Sequence, residues 1–79
     1  MSTTVEELIK LRGKQTHDTS RKIVGGFIHM VKVGAYPFEY MLAISNRIRQ
    51  EVASQEWSVG MREKVVALRE VERIFKSRA

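Results

Sequence analysis

Apolar residues recur three and four positions apart along four stretches of the chain, and short polar or glycine-containing breaks divide those stretches. That spacing places side chains on one face of an α-helix. The first stretch turns Val5, Leu8 and Ile9 inward and predicts a helix over about 4–12. Thr4-Val5-Glu6-Glu7 has the form of a capping box, in which the Thr hydroxyl meets the amide three residues on and the Glu reaches back; Thr3 with Glu6 offers the same pattern one residue earlier. Gly13 is the expected stop, as a residue able to turn left-handed. The polar segment from Gln15 to Ser20 is rich in N-cap types, so a second helix is expected to start at Asp18 or Thr19 and to run to about residue 33, with Ile23, Val24, Phe27, Met30 and Val31 on its buried side.

Gly25-Gly26 interrupts that second stretch. Two glycines inside a helix cost up to about 2 kcal/mol relative to alanines, so they imply a kink, a break or, as favoured here, a close crossing by another helix. The β-branched residues Ile23, Val24, Ile28, Val31 and Val33 leave a strand reading open for the same segment, with helix preferred. Gly34-Ala35-Tyr36-Pro37 then closes one helix and opens the next. A third helix is predicted over 37–54, with Phe38, Met41, Leu42, Ser45, Ile48 and Val52 on one stripe and Ile44 well outside it. Residues 55–58 form the last break, where Ser58 is a candidate N-cap. A fourth helix over 58–76 buries Met61, Leu68, Val71, Ile74 and Phe75. Connections this short favour antiparallel neighbours, so the expected fold is all-α: one domain over 1–79, a compact bundle of about four short helices.

Length makes this core thin. A chain of 79 residues buries only about 60–65% of the surface its unfolded form exposes. With no cysteine, neither a disulfide nor a thiolate zinc site can reinforce it. Hydrophobic residues at 43% and charged residues at 29% are ordinary globular usage, so a folded chain is expected. No signal peptide is read at the N-terminus, and the most apolar stretch, 23–43, is broken by His29, Lys32 and Glu39. A membrane span is therefore not expected, and cytoplasm is the default location.

The formal charge of +5, from 14 Lys and Arg against nine Asp and Glu, shifts attention to where the cations lie. On the fourth helix Arg62, Arg69, Arg73 and Lys76 fall within roughly 60° of one another, opposite Leu68, Val71 and Phe75. Guanidinium groups donate paired hydrogen bonds to phosphate, so such a ridge suits a nucleic-acid backbone. The plainer reading is a solvated face, with Glu72 near Arg69 and Lys76, and Glu70 near Arg73. Arg47 and Arg49, beside Asn46 and Gln50, form a second basic set; Arg47 has Glu51 within pairing distance, and Arg49 sits at the edge of the apolar stripe. Arg12, Lys14, Arg21 and Lys22 form a third if the fold gathers them.

A helix-turn-helix fits poorly, because a recognition helix beginning Pro37-Phe38-Glu39-Tyr40-Met41 would present a carboxylate and bulky apolar groups to phosphate. Metal-binding, phosphate-loop and nucleophile motifs are missing. His17 beside Asp18 reads as loop or capping chemistry, and His29 as a packed or partly exposed side chain. No catalytic residue, metal or cofactor is expected. Tyr36, Phe38, Tyr40 and Trp57 have the chemistry to stack bases, yet at helix starts and breaks aromatics more often staple helices. Ile44, with Ile28 and Val33, is apolar surface in excess of the core, which points to a homodimer with Ile44 at its interface. The leading expectation is a non-enzymatic regulatory or accessory protein binding DNA or RNA through Arg62, Arg69, Arg73, Lys76, Arg47 and Arg49. The rival is a helical module that docks on a larger partner protein.

Overall fold

The structure, a computed structural model, describes residues 3–55 and 60–78. Four helices follow in order: α1 (Thr3–Gly13), α2 (Asp18–Val33), α3 (Phe38–Ser54) and α4 (Met61–Lys76). The strand alternative for 23–33 is excluded, since that segment is helical throughout. The Cα radius of gyration, 11.9 Å, is close to the roughly 11.6 Å expected of a compact domain of this length.

The organising element is α4. Ala67, Leu68, Val71, Ile74 and Phe75 are all buried, an arc about 120° wide that lets one helix face three others. It packs against α3 along its length and against α1 and α2 on the remaining side, while α1 also lies along α2. Phe75 joins three elements: its ring centroid is 5.7 Å from that of Phe27 on α2 and 6.0 Å from that of Phe38 on α3. Where α3 crosses α4, Ser45 is fully buried and its hydroxyl donates to the Leu68 carbonyl at 3.2 Å, so a small side chain lets the backbones approach. By contrast the backbones of α2 and α3 hardly approach each other: α3 packs on α4, and α2 on α1 and α4.

Several local expectations are corrected. Thr4 does not cap α1; the helix already includes Thr3, and Thr4 is buried within its first turn. The inward stripe is Thr4, Leu8 and Leu11, whereas Ile9 is 41% exposed, because α2 and α4 both lie on the former side. Gly13 ends α1 without turning left-handed: tight bonds from Lys14 N–H to the Leu11 carbonyl and from Gln15 N–H to the Arg12 carbonyl close the last turn, and the Gln15 side chain also donates to Leu11 O at 2.8 Å. Gly34 does take the left-handed form, φ 74°, its N–H bonding to Met30 O at 3.2 Å. The Gly25-Gly26 pair neither breaks α2 nor admits a crossing helix: a methyl group at Gly25 would meet only the Arg12 Cδ at 3.9 Å, and one at Gly26 would meet nothing within 4 Å. Ile28 is core, 4% exposed, and not surplus surface. The fourth helix begins at Met61, preceded by left-handed Gly60. Ser58 and Trp57 lie outside the described residues.

Candidate nucleic-acid interface

The exposed strip of α4 is narrow, about 80° wide, and Arg62, Val66, Arg69, Arg73 and Lys76 occupy it. Arg69, Arg73 and Lys76 lie together and, with Arg49 and Glu72, line an open depression of about 480 Å³ at the α3–α4 seam. Arg62 stands apart. Two helical turns before Arg69, it borders a different depression that also involves Lys14, His17 and Glu63.

The ion pairs differ from those that helical spacing alone implies. Glu72 turns away from Arg69 and Lys76 and reaches across to α3, where its Oε2 accepts from Arg49 Nε at 2.7 Å and its Oε1 from Arg49 Nη2 at 3.4 Å. Arg49 Nη2 also donates to Asn46 Oδ1 at 2.9 Å. The two charged side chains are only 25% and 12% exposed, so removing either would strand the other in a partly dry seam. Arg49 thereby serves as a bracket between α3 and α4. Arg73 does pair with Glu70 as spacing predicts, Nη2 to Oε2 at 2.9 Å, and that carboxylate raises the Arg73 pKa by hydrogen bonding first and by its charge second. Among the described residues, no carboxylate lies within ion-pairing distance of Arg69 or Lys76.

The other basic sets are dispersed. Arg47 lies about 200° around α3 from Arg49 and pairs with Glu51 at 3.3 Å on an exposed face, so the two arginines do not act together. Arg21 is bound to Asp18, whose pKa is lowered by that hydrogen bond and then by the Arg21 charge; Arg21 also donates to the Gln15 carbonyl at 3.2 Å. Arg12, Lys14 and Lys22 remain exposed. Tyr36 and Tyr40 stack on each other, centroids 5.8 Å apart and 9° from parallel, but Tyr40 lies about 180° around α3 from Arg49. They do not serve the basic depression.

His17 belongs to a structural corner that spacing did not disclose. Glu63, in the first turn of α4, accepts the Thr16 N–H at 2.7 Å, the His17 N–H at 3.2 Å and the Thr16 hydroxyl at 2.5 Å, capping the entry to α2 from another helix. The sole local sign of this role was an acidic residue in a first helical turn, which many helices have. His29 is exposed on α2. No helix among the described residues is long and apolar enough to cross a membrane. Comparison with protein-family models, with curated proteins and with solved structures finds no match to this chain.

Proposed function

We propose that this protein binds the phosphate backbone of nucleic acid through the α4 surface formed by Arg69, Arg73 and Lys76, in a non-enzymatic regulatory or accessory role. The observation that carries this reading is the diversion of Glu72 to Arg49. A carboxylate that helical spacing offers to Arg69 and Lys76 is held by another helix, so two exposed cations stand beside an open depression. Counterion release on binding a polyanion follows from such a surface. The exposed strip of α4 is flanked by neighbouring helices, a geometry suited to backbone contact and unlike a recognition helix projecting into a major groove.

Binding to duplex DNA, single-stranded DNA and RNA, measured by fluorescence anisotropy over a salt series, tests this reading. Each neutralised phosphate on a duplex contributes about −0.9 to the slope of log affinity against log salt, so Arg69→Gln, Arg73→Gln and Lys76→Gln together should flatten the slope by roughly two to three units. Glutamine preserves helix propensity, so the variant should remain folded. Wild-type protein with no salt-dependent binding near physiological ionic strength would sink the reading. An unchanged slope in the triple variant would move the interface to another face.

A further inference from the structure

The depression at the α3–α4 seam is basic out of proportion to its size. Arg49, Arg69, Arg73 and Lys76 line it against one carboxylate, that of Glu72. Arg69 and Lys76 are only about 10 Å apart along the α4 axis. Beyond them the charge thins out: Arg47 is paired with Glu51, Arg78 with Glu7, and Arg62 lies two turns back along α4. The positive charge is therefore gathered at one spot and not laid out as a track. No aromatic side chain among the described residues lines the depression, so base stacking supplies no affinity there and phosphate contact has to.

Arg49 holds the second observation. One edge of its guanidinium is spent on the bracket: Nε and Nη2 donate to the two Glu72 oxygens, and Nη2 also donates to Asn46 Oδ1. Nη1, on the other edge, has no partner among the described residues, although the side chain is 25% exposed and lines the depression. A guanidinium already oriented by its neighbours gives up little freedom on binding an anion. We infer that Arg49, positioned by Glu72 and Asn46, is a fourth phosphate ligand beside Arg69, Arg73 and Lys76, and that the depression seats the terminal phosphate monoester of a DNA or RNA strand. This rests on the nucleic-acid reading and specifies the part of the polymer that is taken. A terminal monoester carries about −1.5 to −2 and three free oxygens, more charge and more acceptors than an internal diester offers. Four cations within about 10 Å match that group, and each arginine fork can hold two of its oxygens at once. Arg73 shares Glu70 in an exposed ion pair, a weak competitor for a dianion.

The test compares an oligonucleotide phosphorylated at either end with an unphosphorylated one that is one nucleotide longer and so carries the same number of phosphates, each as DNA and as RNA. Competition anisotropy should show the phosphorylated strand at least about tenfold tighter for one of the two ends. Arg49→Lys keeps the charge but has no second edge, and should cut that preference to within about threefold. Glu72→Gln removes a negative charge from the lining, so it should bind the unphosphorylated strand more tightly while the preference falls by at least about threefold. Each preference is a ratio within one variant, so partial unfolding, which lowers both affinities alike, leaves it intact. Salt-dependent binding with equal affinity for both strands would overturn this inference and leave the nucleic-acid reading standing, whereas no binding to any strand removes both. A full preference in Arg49→Lys, or one unchanged or larger in Glu72→Gln, would also overturn it. Inorganic phosphate that competes as well as the phosphorylated strand would assign the seat to a free phosphate compound and overturn the strand-end assignment.

Discussion

Glu63 ties the start of α4 to the entry of α2 through three hydrogen bonds. Its pKa is lowered chiefly by the Thr16 hydroxyl, against partial desolvation, with the His17 and Thr16 amides and the His17 charge adding to the effect. A carboxylate whose folded pKa is depressed stabilises the fold above its unfolded pKa and loses that contribution as pH falls through the folded value. Glu63→Gln should therefore lower Tm at neutral pH, and the gap from wild type should shrink as pH drops below the ordinary glutamate range. Thermal melts at a series of pH values check this; a gap independent of pH would mean that the capping geometry, and not the charge, is what matters. Ser20 is the converse case, a fully buried hydroxyl without a partner among the described residues.

At the level of elements, two left-handed glycines set the ends of helices, and they are not equivalent. Gly34 has φ 74° and open space around it, so Gly34→Ala adds only the left-handed penalty of about 1–2 kcal/mol. Gly60 has φ 84°, and a methyl group there would sit 3.2 Å from the His17 Cγ, pressing the α4 start against the entry to α2. Gly60→Ala should cost more than Gly34→Ala, with a drop in Tm of more than about 4–8 °C. Equal losses in calorimetry would show that His17 gives way freely. The contrast is tertiary in origin: Gly34 was readable from sequence as a helix stop, whereas Gly60 was expected inside the fourth helix, and the imidazole packed over it arrives from 43 residues away.

For the molecule as a whole, total stability of about 4–12 kcal/mol is expected at this length. Phe75 touches aromatic rings on two other helices and is fully buried, so Phe75→Ala should remove about 3–5 kcal/mol, a large share of that total. Urea denaturation should register the loss as a lower midpoint or an unfolded baseline. A midpoint within error of wild type would deny Phe75 its place at the centre of the core.

Helical periodicity was enough to define four helices, their approximate limits, the Gly34 stop and most of the buried stripe of α4, because a 3.6-residue repeat is a property of each segment alone. It also placed Arg69, Arg73 and Lys76 on one exposed face. Which helix would be central, which of two plausible stripes α1 would bury, and whether Ile28 was core depended on neighbours distant in sequence. Glu72 illustrates the reason. Spacing along α4 offers it to Arg69 and Lys76, but α3 brings Arg49 into a partly dry seam, where an ion pair is stronger than on the surface and the carboxylate is drawn across. Gly26 is the complementary case: the sequence marked it as a candidate close crossing, and only the placement of the other helices left it exposed with no neighbour against it.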